Sequence, residues 1–341
     1  MTTIREVAES AGVSYATVSH VINNTRVVSK ETRERVLAAM TALNYRPNAL
    51  ARSMRQGKTN TIGLVLPDSA NPFFAEIGRS IEDEAFKKGY SVFLCNTELD
   101  TQRELFYVDV LSKKQVDGII FIAAGDQTDS LDFLLRENMP VVMIDRDVPK
   151  VEVDAVLTDN ELGGFLATRH LLELGHKRIA CIAGPSNITP SAQRIIGYRR
   201  ALEQAGLSYD ESLIVRGDYH AQSGLEIARS ILRMEPRPTA IFALNDLMAL
   251  GVLRAAAEAN CSVPSDLAVV GYDDLELAHF TNPPLTTIAQ PKKEIGAQAI
   301  NLLVERIAHR DRPPSRLVLP PELIVRRSTQ PIMEGIGAYD S

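Results

Sequence analysis

Residues 14–24 read SYATVSHVINN. At about 100° per residue, Val18, Val21 and Ile22 gather on one side of a helix, and Tyr15, Ala16, Ser19, His20 and Asn23 fall on the other. A face meant only for solvent would carry Lys and Glu, which are good helix formers. This one carries neither. It offers short hydrogen-bonding groups, a methyl, a phenol and an imidazole, a set suited to reading a surface close by.

The flanking residues supply a setting. Thr3-Ile-Arg-Glu6 has the form of a capping box, and Ile4, Val7, Ala8 and Ala11 repeat at helical spacing behind it. Gly12 ends that helix and Ser14 can cap the next. A third helix is expected from Ser29, with Val36, Leu37, Met40 and Leu43 as its buried stripe. Two short helices joined by a tight Gly-containing turn make a helix-turn-helix, whose second helix enters the DNA major groove. Tyr15, Ala16, Ser19 and His20 are then expected at base edges, and Ser14, Thr17 and Asn23 at phosphates.

Charge agrees with that division. The chain has 341 residues and a formal net charge of −6, but residues 1–58 carry +5 and the remainder −11. A small basic head on an acidic body points to an anionic partner for the head alone. A helical hairpin docking on protein is the blander reading, and the local positive charge counts against it. Next comes RPNALARSMRQG, residues 46–57, with a helix-stopping Pro47 and a terminal Gly57. A helix of two turns is marginal alone, so this segment is expected to form only against a twin and DNA. Leu50 and Met54 lie four apart with Arg52 and Arg55 beside them, the pattern of an apolar minor-groove wedge.

From Thr61 the pattern becomes β-α-β-α. Strand-length apolar runs are TIGLVLP, YSVFLCN, VDGIIFIAA and PVVMID in one half, and RIACIAG, AIFALND, LAVVGYDD and TTIAQP in the other. Helices are expected near Phe73, Gln102 and Asp129. Such alternation implies parallel, doubly wound sheets with a ligand at the C-terminal strand ends. Polar residues recur at those ends: Asn71, Asp145, Arg146, Asn245, Asp273 and Gln290. With Phe73, Phe74 and Tyr219 they suit a neutral polyol, amides and carboxylates for its hydroxyls and rings for its C–H faces. Phosphate-loop, dinucleotide, zinc-protease and nucleophile-elbow motifs are missing, and no enzyme is expected. His170 and His176 are poorly spaced for a metal, and no cofactor is expected. Cys95, Cys181 and Cys261 read as buried thiols of a reducing cytoplasm. The polar start MTTIREVAES gives no secretory signal, and no apolar run approaches a membrane span.

Residues 3–54 resemble the DNA-binding head and hinge of the lac repressor family of bacterial regulators. ANPFFAEI, MIDRD, DNELGG, ALNDLMALGVLRA, VVGYDD and TTIAQP are similar to the periplasmic sugar-binding proteins, ribose binders in particular, and to the ribose-responsive regulators. The resemblance implies a repressor with double-stranded operator DNA, a small-molecule effector and a second copy of itself as partners. It implies ligand contacts from Asn71, Phe73, Phe74, Asp145, Arg146, Asn245, Asp273 and Gln290, with Arg194 beside them and Tyr219 as an aromatic lid. Asn48, Ala51, Met54 and Arg55 are the implied hinge contacts to DNA. The implied divisions are 1–46 head, 47–57 hinge, 58–332 effector and dimerisation domain, and 333–341 tail. Within the domain, one lobe takes 60–161 and 293–320, the other 162–292 and 321–332. Two departures stand out: the wedge is Met54, where the family usually has Leu, and PIMEGIGAYDS closes the chain without Leu heptads, so a dimer is expected. A purine-responsive regulator with a corepressor is the alternative effector reading. A sugar-transport binding protein is the alternative class.

Overall fold

The computed structural model describes residues 2–23, 25–45, 58–125, 129–148 and 151–329. The chain divides after Thr59 into two compact units. In the first, α1 (Ile4–Ala11), α2 (Tyr15–Asn23) and α3 (Lys30–Ala42) close on a small core of Val7, Ala8, Ala11, Val18, Val21, Val36 and Ala39. Each start is fixed by a side chain. The Thr3 hydroxyl accepts from the Glu6 amide at 3.4 Å, and the Glu6 carboxylate accepts from the Thr3 amide at 2.8 Å. Ser14 and Ser29 accept from the Thr17 and Thr32 amides at 3.2 and 3.3 Å. Gly12 ends α1 at φ 62°, a left-handed conformation that glycine adopts without a Cβ penalty. One expectation for α3 is corrected: Leu37 is exposed. The buried stripe runs through Val36 and Ala39, with Met40 and Leu43 packed at its margin, and Leu37 sits a further 100° round the helix.

The second unit holds two six-stranded sheets. The first has the order β11-β5-β4-β3-β1-β2, built from β1 (Thr61–Leu66), β2 (Ser91–Asn96), β3 (Gly118–Phe121), β4 (Val141–Ile144), β5 (Asp154–Thr158) and β11 (Arg316–Leu319). The second has the order β12-β10-β9-β8-β6-β7, from β6 (Ile179–Ala183), β7 (Ile214–Arg216), β8 (Ala240–Ala243), β9 (Ala268–Asp273), β10 (Thr286–Ala289) and β12 (Glu322–Ile324). Pairing is parallel throughout except that β12 runs antiparallel to β10. That departs from an all-parallel reading: β12 enters the second sheet straight from β11 of the first, across residues 320–321.

Nine helices accompany these strands among the described residues: α4 (Pro72–Lys87), α5 (Thr101–Lys113), α6 (Asp129–Arg136), α7 (Asn160–Glu173), α8 (Thr189–Gln204), α9 (Ala221–Ile231), α10 (Asp246–Glu258), α11 (Leu277–Phe280) and α12 (Lys292–Ala308). The central strands β3, β4, β5, β6, β8 and β9 are buried along their whole length, as strands covered on both faces must be. The three cysteines are free and buried. No helix among the described residues is long and apolar enough to cross a membrane.

Candidate functional site

On α2 the expected contact residues form a partly self-bonded face. The Ser14 and Thr17 hydroxyls lie 2.9 Å apart, Asn23 donates to the Ser19 carbonyl at 2.8 Å and to its hydroxyl at 3.2 Å, and His20 Nδ1 meets the Thr25 hydroxyl at 2.8 Å. Ser14 thus serves as the helix cap as well. Tyr15 and Ala16 stand exposed, while Val18 and Val21 anchor the opposite face. Internal bonding of this sort fixes rotamers before any partner arrives. Asn48, Ala51, Met54 and Arg55 lie outside the described residues.

In the second unit, nine of the ten expected ligand residues line one cleft: Asn71, Phe73, Phe74, Asp145, Arg146, Arg194, Tyr219, Asn245 and Asp273. All but Arg194, which stands in the second turn of α8, lie at or just after the C-terminal end of a strand or open the next helix, and both sheets contribute. Asn71 caps α4 through the Phe73 amide at 3.0 Å, which sets Phe73 and Phe74 edge to face, ring centres 5.1 Å apart. Asn245 caps α10 through the Met248 amide at 2.9 Å, and its Nδ2 donates to the Tyr219 carbonyl at 2.9 Å. Asp145, Tyr219 and Asp273 all have positive φ, at 64°, 70° and 111°. Non-glycine residues held in that region cost energy and cluster at sites where geometry matters.

The two arginines are anchored differently. Arg194 spends Nε on the Asn160 side-chain oxygen at 2.8 Å and Nη1 on the Leu244 carbonyl at 2.5 Å, and its plane lies 3.6 Å from the centre of the Tyr272 ring. Arg146 commits Nη1 to the Ala123 and Ala124 carbonyls at 2.5 and 2.9 Å. Its Nε stands 3.8 Å from the Asp145 carboxylate, too long for a hydrogen bond. Asp145 and Arg146 thus form a long, buried ion pair with no hydrogen bond closed through Nε.

Burial raises the Asp145 carboxyl pKa, against the pull of Arg146 and Arg194. It raises Asp273 to about 6, against Arg194, Gln290 and Lys292. Behind the wall lies a third carboxyl, Asp246, held well above the usual range by burial and by the nearby Asp273. It accepts from the Thr287 hydroxyl at 2.6 Å and the Leu275 amide at 2.8 Å.

Gln290 stands apart from the cleft wall. Its Nε2 donates to Asp273 at 2.8 Å and its Oε1 accepts from Thr158 at 2.7 Å, so it orients the carboxylate from behind. Sequence reasoning missed Asn160, the buried amide that joins Arg194 to the Tyr272 hydroxyl, 3.2 Å away, although DNELGG contained it. It also missed Asp218 and His220, which flank Tyr219 in the wall and are joined to each other by the His220 amide at 2.9 Å. Their neighbour in GDYHAQSG was the available signal. Among the described residues no group of three or more His, Cys, Asp and Glu could hold a metal.

Known proteins share both units. Residues 3–48 match the lacI family of bacterial regulatory proteins, and residues 168–329 match a periplasmic binding protein-like domain. The chain is 43% identical over 337 residues to the HTH-type transcriptional repressor PurR of Haemophilus influenzae, covering 98% of this chain and 100% of the relative. It is 44% identical over 329 residues to the ribose operon repressor of Escherichia coli, covering 96% and 100%. The lac repressor dimer bound to operator and the anti-inducer ONPF superposes with a TM-score of 0.87 at 32% identity, covering 96% of this chain and 99% of that one. A head that presents a short polar helix, a two-sheet body with a polar cleft, and relatives matched end to end lead to one assignment: the chain belongs to the lacI family of DNA-binding transcriptional repressors.

Proposed function

We propose that this repressor answers to ribose or a related pentose, and that closure of the two lobes on the sugar weakens its hold on an operator. The observation that carries the sugar is the corner formed by Asp145 and Arg146. There a buried carboxylate sits in a long ion pair, 3.8 Å, with a guanidinium whose Nε has no hydrogen-bond partner among the described residues. A donor and an acceptor side by side match the paired donor and acceptor character of sugar hydroxyls. Phe73, Phe74 and Tyr219 supply apolar surface for the ring's C–H faces. A flat purine would be better served there by an apolar or aromatic wall. The purine reading draws its support from the PurR relative, as extensive a match as the ribose operon repressor.

On the DNA side, Tyr15, Ala16, Ser19 and His20 read base edges, while Ser14, Thr17 and Asn23 hold phosphates. The working form is a homodimer on a pseudo-palindromic site, with residues 47–57 as the hinge between head and effector domain. Calorimetric titration of the purified protein with ribose, arabinose, xylose, hypoxanthine and guanine tests the effector. Heat from a pentose at micromolar to millimolar concentration, and none from the purines, is the expected outcome. Tight purine binding with no response to ribose at millimolar concentration overturns the sugar and leaves the repressor standing.

A further inference from the structure

Away from the cleft wall, α5 carries a residue out of keeping with its neighbours. Glu104, Val108 and Leu111 form the buried stripe of that helix, at positions i, i+4 and i+7, and the latter two belong to an apolar core. Glu104 is only 2% exposed. A carboxylate in such a place is costly unless it is well hydrogen-bonded, and an apolar side chain would fill the space without that cost. Glu104 is not among the residues that line the cleft, so contact with an effector does not explain it.

Its partners do. Glu104 accepts from the Ala124 amide at 2.6 Å, in the segment that follows β3, and the Ser130 hydroxyl at the start of α6 bonds to it as well. The Ala124 amide and the Ala123 carbonyl are the two ends of one planar trans peptide group, and they point in opposite directions. That carbonyl takes Nη1 of Arg146 at 2.5 Å, and the Ala124 carbonyl takes the same nitrogen at 2.9 Å. One rigid peptide thus stands between a carboxylate behind the cleft and a guanidinium in its wall.

The electrostatics run the same way. A peptide whose N–H donates to an anion becomes a stronger acceptor at its carbonyl, and low dielectric enlarges the effect. Ala123 and Ala124 are both buried, so solvent competes for neither end. Burial raises the Glu104 pKa and lowers that of Arg146, and each charge works against the shift in the other. Arg146 closes no hydrogen bond through Nε to Asp145, 3.8 Å away, so its bonds to the two carbonyls are what hold the guanidinium.

We propose that Glu104 is a positioning residue for effector binding, fixing the Arg146 guanidinium through the Ala123–Ala124 peptide. What Arg146 grips rests on the sugar reading above; how Arg146 is held rests on these contacts alone. Groups that orient a binding side chain from behind decide whether it meets its ligand in the productive geometry.

Two variants separate this role from simple filling of the core. Glu104→Gln keeps an oxygen that can accept from Ala124, and Glu104→Met keeps the bulk without the acceptor. Spectra of the full-length, ligand-free protein carrying 15N-labelled arginine read the Arg146 Nε–H directly, the signal being assigned by its loss in Arg146→Lys. Arg194, whose Nε is bonded to Asn160, serves as the internal standard. The Arg146 signal is expected sharp in the wild type, shifted but sharp in Glu104→Gln, and broadened or lost in Glu104→Met, with the Arg194 signal unchanged throughout. Calorimetry with ribose is expected to show affinity about tenfold weaker in Glu104→Met, the scale of a lost buried hydrogen bond, and within about threefold of wild type in Glu104→Gln. An Arg146 signal that stays sharp in Glu104→Met, or an Arg194 signal that broadens equally, overturns the proposal. So does a glutamine variant that binds ribose no better than the methionine variant. If Glu104→Met does not fold, an Arg146 signal that fails to move in Glu104→Gln overturns it instead. A wild type that binds no ribose overturns the sugar reading, and the Arg146 signal still decides the role of Glu104.

Discussion

At the scale of single residues, the cleft's carboxyls are expected to make effector binding depend on pH. Burial lifts Asp273 to about 6, and raises Asp145 and Asp246 in the same direction. The groups facing Asp273 are Arg194, Gln290 and Lys292, which favour its charged form, and Asp145, which opposes it; the Asp246 carboxyl behind is itself raised by Asp273. A ligand hydroxyl donated to Asp273 needs the carboxylate, so binding lowers the pKa and releases a proton near pH 6. Affinity is expected to rise by up to about tenfold per pH unit below 6 and to level off above it. Stability of the ligand-free protein moves the other way. A carboxyl raised in the folded state contributes fully below its unfolded value of 3.8, and that contribution is lost as pH climbs through about 6. Calorimetry in two buffers of different ionisation heat, at pH 5.5 and pH 8, reads the proton directly; proton uptake on binding, or a flat affinity from pH 5 to 8, would sink the idea. These residues were legible in the sequence because polar side chains at successive strand ends are conspicuous against apolar runs. Gln290 shows the limit. Its position after β10 was plain, but which way its amide turns depends on Thr158, 132 residues away.

Elements explain how Arg194 reaches the cleft. Helices α7 and α8 pack backbone to backbone: a Cβ on Gly164 would strike the main chain of Arg194, and one on Gly197 would strike the Glu161 carbonyl and the Phe165 amide. Close approach brings Arg194 over Tyr272 and within reach of Asn160. Gly197→Ala is expected to push the helices apart and cost about 1–3 kcal/mol, the usual penalty for overpacking. It should lower the melting temperature and weaken effector binding together; a variant with wild-type melting and affinity would show the contact to be slack. Here local sequence was a poor guide. DNELGG and the later Gly197 lie on different helices, and nothing in their spacing says that they meet. β5 escaped notice for a different reason. It opens with Asp154, which reads as a loop residue, yet that carboxylate is buried between Arg306 and Arg312 at 2.8 and 2.9 Å. β7 and β12 are three residues each and half exposed, too short for periodicity to mark. The other strands buried on both faces, by contrast, announced themselves as unbroken apolar runs.

For the whole molecule, the decisive feature is that the chain crosses between the two sheets three times: from β5 to α7 and β6, from β10 to α12, and from β11 to β12. No periodicity could show this, since strand pairing is a long-range choice. Two of those crossings are tied together where Thr158 meets Gln290, and Lys292 fastens the second by donating to the Asp273 and Asp274 carbonyls at 2.9 and 2.7 Å while pairing with Glu76 at 2.7 Å. If crossings clustered in this way flex as a hinge, a ligand held by both lobes biases one arrangement of the domain over another. If that arrangement also sets operator affinity, the two ligands are linked, and linkage is reciprocal. Saturating ribose is expected to weaken operator binding by roughly 5–150-fold, the common range for coupled sites. Saturating operator should then weaken ribose binding by the same factor. Fluorescence anisotropy of a labelled operator duplex, with and without sugar, gives the first factor, and calorimetry with and without operator gives the second. Asp145→Ala supplies the control. Its carboxylate touches the sugar in this reading, so the variant should bind operator normally and lose the response to ribose. Operator affinity that ignores a sugar the protein demonstrably binds would uncouple the cleft from the DNA and remove the effector from the regulatory scheme.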